Sequence, residues 1–287
     1  YVIKDIDVAS LYPSIAIVNR LSPAHLGEPF VNVYSELPKE RKRWQQEKGK
    51  KCVEANAIKL GANSVYGNSN NMYSPFYDPQ YTMTVTINGQ LMLCMLAEQL
   101  VKVPTLQMVQ INTDGMTYVV DRQYLEQTKQ IEQWWEQLTA LVLEEQFYTR
   151  MWIRDVNSYI AESEDGSLKL KGAYWHPDPL AYHQSVGESQ PPAWHKNLSN
   201  IVSIRAAVAH MTTGVDVETW LRMHTDPFDF MCAVKAKGKD RLWYGGEQVQ
   251  RTSRYYVSTA GAELIKIAPP PAGKKLGAYK KASGVSD

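Results

Sequence analysis

Residues 5–15 read DIDVASLYPSI, with two acids, Asp5 and Asp7, set directly ahead of a turn-forming Tyr12-Pro13-Ser14 and followed by an apolar run. The longer stretch YVIKDIDVAS (1–10) alternates in the two-residue period of a strand. LYPSIAIVNR (11–20) breaks at Pro13 and resumes as a short helix. Acids in an otherwise apolar segment are either exposed on an edge or kept for metal binding, and the remainder of the chain decides between the two.

The bulk properties exclude little. With 287 residues and 44% hydrophobic content the chain buries a substantial core, in one large or two to three small domains. Thirty-one Lys and Arg against thirty Asp and Glu leave a net charge of +1, so no overall basic character announces a nucleic-acid partner. Cys52, Cys94 and Cys232 are odd in number and form no CxxC pair, which argues against a disulfide framework or a zinc site and for a reducing compartment. No apolar run approaches a bilayer span and no signal-peptide pattern opens the chain, so a cytoplasmic location is expected. The chain begins at Tyr1 in mid-strand and stops in polar ASGVSD, which leads us to expect a fragment of something longer.

Working outward, residues 21–35 read as loop. Residues 35–67 read as two helices meeting near Gly49, a helical hairpin whose second arm ends at Gly67. Residues 84–102 form a third, apolar helix. TLQMVQINTDGMTYVV (105–120) is two strands around the turn chemistry of Asn112-Thr113-Asp114-Gly115. A long amphipathic, acid-rich helix is expected across 121–147, facing away from any DNA, and a second hairpin turns at Asp165-Gly166. The Pro-rich stretch 176–197 marks a boundary, and the last ninety or so residues form a separate α+β portion.

Charge is concentrated in places. Lys39, Arg41, Lys42, Arg43, Lys48, Lys50, Lys51 and Lys59 face only Glu40, Glu47 and Glu54, so the helical hairpin is basic. On its second arm Lys59, Asn63 and Tyr66 recur at i, i+4 and i+7 and share one helical face. An ammonium, an amide and a phenol in that order suit a triphosphate and a base pair. The plainer reading is that Tyr66 packs and Lys59 is solvated.

Three segments, DVASLYPS from Asp7, KLGANSVYG from Lys59 and NTDG around Asp114, resemble in order the palm and fingers motifs of family B DNA-dependent DNA polymerases, particularly the phage type. Those patterns run DxxSLYPS, KxxxNSxYG and DTDS; the first two are matched at every defining position. The third departs: Asn112 stands for its first acid and Gly115 for its Ser. The motifs cover about residues 1–175.

The resemblance implies two-metal nucleotidyl transfer, in which divalent ions about 4 Å apart activate a primer 3′-hydroxyl and hold the triphosphate. Hard Mg²⁺ takes oxygen ligands, with Mn²⁺ as a substitute. Asp7 at a strand end and Asp114 in a hairpin turn are the expected ligands, with the Val8 carbonyl beside them; without metal their like charges repel. By the same resemblance the Ser10 and Leu11 amides approach the incoming phosphates, and Tyr12 lies beneath the sugar, where a 2′-hydroxyl would clash. Lys59, Arg41 and Arg43 neutralise the triphosphate, and Asn63, Ser64, Tyr66, Gly67 and Thr113 line the nascent pair and template. Asp5 matches nothing catalytic and reads as structural.

KLKGAY (169–174) resembles the family's Lys-x-Tyr primer motif, with Lys171 and Tyr174 one residue further apart than that pattern. From Lys235 to Arg254 the residues Lys235, Lys237, Lys239, Arg241, Arg251 and Arg254 meet only Asp240 and Glu247, and interleave with Trp243, Tyr244 and Tyr255. That pattern suits a surface gripping duplex DNA through its backbone. His176, His183, His195 and His210 show no metal-ligand spacing, and neither a GxGxxG nor a GK[ST] loop occurs.

The expected architecture is therefore α+β in the polymerase right-hand arrangement: an antiparallel-sheet palm at 1–20 and 67–194, a helical-hairpin fingers insertion at 21–66 and a truncated thumb at 195–287. The expected partners are primer-template DNA, deoxynucleoside triphosphates and replication accessory proteins, around a monomer in the cytoplasm of a phage-infected host. A non-catalytic primer-template binding module, with Asn112 as the mark of lost chemistry, is the alternative. A reverse transcriptase or RNA polymerase is disfavoured by SLYPS and KLGANSVYG.

Overall fold

The structure is a computed structural model that describes residues 1–49, 52–176, 199–268 and the backbone of 282–284. Lys50, Lys51, His183, His195 and the expected palm–thumb boundary lie outside the described residues. The chain divides into two compact units, Tyr1–Met151 with Ala161–Leu168, and Trp152–Ile160 with Lys169–Asp287.

In the first unit, strand β1 (Val2–Val8) lies between two antiparallel neighbours in a four-stranded sheet of order β2-β3-β1-β4, with β2 Gln107–Ile111, β3 Gly115–Val120 and β4 Leu143–Tyr148. Alternation along β1 sends Val2, Lys4, Ile6 and Val8 to one face and Ile3, Asp5 and Asp7 to the other. The first face is the core side. Ile6, Met116, Tyr118 and Val120 are buried there together with Val85, Leu96 and Leu100 of helix α4 (Pro79–Leu100) and Trp135 of helix α5 (Leu125–Thr139). Each such side chain contributes about 1.5–3 kcal/mol on leaving water, and the Trp135 Nε1 donates to the Met92 carbonyl at 2.7 Å, so its one polar atom is served.

Lys4 shares this side, only 2% exposed, with its ammonium 2.7 Å from Glu132 and 2.8 Å from Glu145. Tyr118 donates to the second oxygen of Glu132 at 2.6 Å. Burial and then the Glu132 charge hold that phenol protonated, far above its ordinary value.

Among the described residues, four helices occupy the connection between β1 and β2. Helix α1 (Leu11–Val18) follows β1 at once. Helices α2 (Gly27–Lys48) and α3 (Val53–Asn68) form the expected hairpin, turning at Gly49, whose φ of 93° is accessible to glycine without strain. The Tyr34 hydroxyl on α2 donates to the Ala62 carbonyl of α3 at 2.7 Å.

Several expectations need correction. Pro13 does not break its helix: it sits in the first turn of α1, where the missing N–H has no partner to lose. Helix α2 starts at Gly27 instead of residue 35, because Pro29 likewise falls in the first turn. Helix α4 begins five residues early, at Pro79, capped by the Asp78 carboxylate accepting from the Tyr81 amide at 3.0 Å. The helix expected across 121–147 ends at Thr139, where Ala140 turns left-handed (φ 54°), and from Leu143 the chain becomes strand β4 on the free edge of β1. Pairing with β1 overrides a strong local helix preference.

Strands β5 (Arg150–Asp155), β6 (Ser158–Glu162) and β7 (Leu168–Leu170) form a three-stranded sheet within which the chain passes from one unit to the other. The β6–β7 hairpin turns at Asp165-Gly166 as expected; β5 was not foreseen. The second unit holds α6 (Ile201–Thr213) and α7 (Val217–Met223) and the strands β8 Cys232–Lys235, β9 Arg241–Tyr244, β10 Glu247–Val249, β11 Thr252–Tyr255, β12 Leu264–Ile267 and β13 Ala282–Gly284. Of these, β8 pairs with β11, and the others form a sheet of order β10-β9-β12-β13. The chain crosses between the two units within 151–169, inside the segment expected as the second part of the palm (67–194), and the segment expected as fingers (21–66) lies in the first unit. No described helix is long and apolar enough to cross a membrane.

Candidate active site

The antiparallel register places Asp7 opposite Gly115, and the Val8 amide donates to the Asp114 carbonyl at 2.7 Å. Two acids separated by more than a hundred residues of sequence thus stand at one end of one sheet, Asp7 within β1 and Asp114 in the turn that leads into β3. The turn carrying Asp114 is closed by Asn112, whose Oδ1 accepts from the Gly115 amide at 2.6 Å and the Asp114 amide at 3.2 Å. Gly115 is required: a Cβ there would stand 2.3 Å from Asp7 Oδ1 and 2.3 Å from the Ile6 carbonyl oxygen.

Asp5 lies on the same face, two residues before Asp7, but is buried and accepts from the Thr117 hydroxyl at 2.6 Å and the Tyr148 hydroxyl at 3.4 Å. Its hydrogen bonds tie three strands together, which is the structural part expected of it. Across β4 the register puts Glu144 opposite Asp7. Sequence reading missed this third acid on the open face because LVLEE was read as helix.

Tyr12 stacks on Tyr66 with ring centroids 3.9 Å apart and planes 11° from parallel. Burial raises the Tyr12 phenol above its ordinary value, the neighbouring Tyr66 raises it further, and the Asp114 charge adds a smaller push. The Tyr66 hydroxyl in turn shares a 2.8 Å hydrogen bond with Thr86 of α4. Tyr12, Asn112 and Thr113 also line a small cavity of about 260 Å³ against α4.

A second cavity, of about 330 Å³, is lined by Ser10, Arg41, Lys59, Ala62 and Val142 among others. Three residues expected to bind phosphate therefore converge, from the β1–α1 junction, α2 and α3. Ser10 adopts a left-handed conformation (φ 52°) at the start of α1, and Arg41 Nη1 lies 3.4 Å from its hydroxyl. Arg41 Nε is buried with no hydrogen-bond partner among the described residues. Among the described residues Lys59 forms no ion pair, whereas Lys39 pairs with Glu36, Lys48 with Glu54, and Arg43 with Glu40 and Glu47. Of the described cations of this run, Lys39, Arg43 and Lys48 are neutralised on the helix surface, Arg41 and Lys59 line the cavity, and Lys42 is exposed outside it. Arg43 belongs to the first group, packed beside Trp44 and outside the cavity.

Asn63 follows Lys59 by one turn and its amide donates back to the Lys59 carbonyl at 3.0 Å, and the Ser64 carbonyl accepts from Asn68 at 2.9 Å. Gly67 is exposed, with open space around its missing Cβ. Thr113 Oγ1 lies 3.4 Å from Asp114 Oδ1.

As a metal site the donors are hard oxygens: two carboxylates and backbone carbonyls, the set that Mg²⁺ prefers. Asp7 Oδ1 fills a space that exists only because residue 115 has no side chain. Among the described residues no group of three or more His, Cys, Asp or Glu is gathered to enclose an ion. Mg²⁺ commonly takes one or two carboxylates and completes its octahedron with water and substrate phosphates, so a pair such as Asp7 and Asp114 would suit it.

In the second unit, the Lys171 amide donates to the Tyr159 carbonyl at 2.9 Å, and Tyr174 closes a short turn with its amide 3.2 Å from the Lys171 carbonyl. Gly172 between them has φ 57°, and a Cβ there would sit 2.2 Å from the Asn157 carbonyl oxygen. Opposite Thr252 and Ala233 respectively, Lys235 and Arg254 share one face of the β8–β11 pair. Lys237 is exposed nearby in sequence, and the Arg251 guanidinium donates to the Gly238 carbonyl.

No family model matches the chain, and no curated protein matches it either. Among solved structures it is similar to the family B DNA polymerase from the hyperthermophilic archaeon Pyrobaculum calidifontis, with a TM-score of 0.51 and 16% identity over 98% of this chain. The match spans 41% of the archaeal polymerase, so this chain corresponds to less than half of that protein. The fold is accordingly α+β, of the kind found in family B DNA polymerases.

Proposed function

We propose that the chain carries the nucleotidyl-transfer site of a family B DNA polymerase, acting in template-directed extension of a primer by deoxynucleoside triphosphates. The observation that supports it best is the register of β1 and β3, which sets Asp7 opposite Gly115, the residue after Asp114, while Ser10, three residues after Asp7, lines one cavity with Arg41 and Lys59. In this reading Asp7, Asp114 and the Val8 carbonyl hold two Mg²⁺ ions, for which Mn²⁺ substitutes. Bound there, the ions would supply Lewis-acid polarisation of phosphoryl oxygens and a lowered pKa for the primer 3′-hydroxyl.

The protein's own part is positioning and charge. Arg41 and Lys59 neutralise the triphosphate, Arg41 Nε finding there the acceptor that it lacks among the described residues. The Ser10 and Leu11 amides at the start of α1 add donors. Tyr12, held by its stack on Tyr66, presents a ring edge to the sugar and disfavours a 2′-hydroxyl. Asn63, Ser64, Gly67 and Thr113 face the nascent pair and template.

Lys171 and Tyr174 contact the primer, and Lys235, Lys237, Arg251 and Arg254 hold DNA through its phosphates without reading bases. A phage source, action in host cytoplasm as a monomer, and accessory replication proteins complete this reading; the SLYPS and KLGANSVYG motifs support it. Mg²⁺-dependent incorporation of deoxynucleotides on a primed template, set beside simple duplex binding, separates it from a non-catalytic binding module. DNA binding without incorporation under any divalent ion would establish the module instead.

A further inference from the structure

Asn112 and Gly115 are the two positions at which the third motif departs from the polymerase pattern, and the structure gives both a geometric task. Asn112 closes the β2–β3 turn with its side chain, whose Oδ1 accepts from the amides of Gly115 (2.6 Å) and Asp114 (3.2 Å), and its backbone N–H donates to the Gly115 carbonyl at 3.0 Å. The same turn is anchored to β1 through the Val8 amide and the Asp114 carbonyl, 2.7 Å apart. At Gly115 the volume of a Cβ is already taken, 2.3 Å from Asp7 Oδ1 and 2.3 Å from the Ile6 carbonyl oxygen. One departure therefore fixes the backbone that carries Asp114, and the other admits the carboxylate of Asp7.

We propose that Asn112 and Gly115 are a matched pair of positioning residues, which set the Asp114 and Asp7 carboxylates for divalent-cation binding without contacting the cation themselves. The proposal rests on the reading of Asp7 and Asp114 as the metal-holding pair. It makes Asn112 a neutral equivalent of the aspartate usual at that position. A carboxylate oxygen accepts the same two amides, so the turn is kept and only a negative charge is given up. It also makes a serine at 115, the residue usual in the family, incompatible with this placement of Asp7.

Cation binding separates this from a role in folding alone. Mn²⁺ affinity is measured by calorimetry on the whole protein without DNA or nucleotide, with thermal unfolding in EDTA as the control. Outer-shell partners of metal ligands typically govern 10–100-fold in affinity. Asn112→Ala removes the acceptor from two amides and is expected to weaken Mn²⁺ about 10-fold or more by that rule. Asn112→Asp restores the acceptor, adds charge beside the pair, and is expected to bind Mn²⁺ at least as tightly as the natural protein. Gly115→Ala forces the Asp7 carboxylate aside and is expected to weaken binding at least as much as Asn112→Ala.

Equal Mn²⁺ affinity in the natural protein and in Asn112→Ala overturns the proposal, as does an Asn112→Asp protein as weak as Asn112→Ala. If Gly115→Ala does not fold, the two Asn112 variants decide alone. Primer extension tests the underlying reading separately. A protein with this Mn²⁺ pattern that extends no primer keeps the positioning pair and loses the polymerase assignment, and a natural protein that binds no Mn²⁺ ends the proposal itself.

Discussion

Single side chains show where composition misleads. Asp5 and Asp7 are two residues apart on one face of one strand, yet Asp5 is enclosed by Thr117 and Tyr148 while Asp7 is half-exposed beside the Asp114 turn. Sequence separates them only through the motif that begins at Asp7. Asp78 was passed over altogether, although Asp-Pro is a helix-start signal; it caps α4 and also accepts from the Ala24 amide at 2.8 Å. Those backbone hydrogen bonds, Ala24 first and then Tyr81, lower its pKa below the ordinary 3.8. A carboxylate whose folded pKa is depressed adds stability that is fully present above the unfolded pKa and is lost as pH falls through the folded one. Asp78→Asn should therefore reduce stability at pH 7 by a fraction of a cap's value of about 1 kcal/mol, with the difference from the natural protein shrinking as pH falls below the ordinary aspartate range. Urea denaturation at pH 7 and pH 3 checks this, and a difference that grows with acid would contradict it.

At the scale of elements, the strand–turn–strand around Asp114, the leading strand and the helical hairpin were all legible, because each carries its own periodicity and punctuation. The failures share a cause. Pro13, Pro29 and Pro79 stand in first turns, where proline is at home, and were read as breakers or passed over. LVLEE continues a helical pattern, yet from Leu143 the chain becomes a strand because β1 has an unpaired edge, a fact written far away in the sequence. That misreading hid Glu144. The hairpin also makes two claims that can be measured. Tyr34→Phe removes the hydroxyl bond that ties α2 to the Ala62 carbonyl of α3, so a loss of about 1 kcal/mol in stability is expected by denaturant unfolding. Lys59→Ala, at the cavity and without a carboxylate partner among the described residues, should raise the nucleotide KM by about 10-fold or more with a smaller change in kcat, since a charge-assisted hydrogen bond is worth about 1.5–3 kcal/mol. An unchanged KM would take Lys59 out of triphosphate binding.

For the molecule as a whole, a net charge of +1 hides its own distribution. Much of the hairpin's basic charge is cancelled within a turn or two, and Arg41 and Lys59 remain at the cavity. In the second unit, Lys235 and Arg254 share a strand-pair face, and the double substitution to Ala should lower the slope of log affinity for duplex DNA against log salt by roughly two. A slope unchanged by the substitution would remove that face from DNA binding. What no local pattern contained is the juxtaposition of Asp7 and Asp114, since register between distant strands is fixed by the core that Ile6, Met116 and Tyr118 build on the opposite face. The most direct test is primer extension in Mg²⁺ by the natural protein and by Asp114→Ala. Outer-shell substitutions already cost 10–100-fold, so loss of a ligand should lower incorporation by more than about 100-fold while duplex binding persists; undiminished synthesis by Asp114→Ala would contradict the account at its centre.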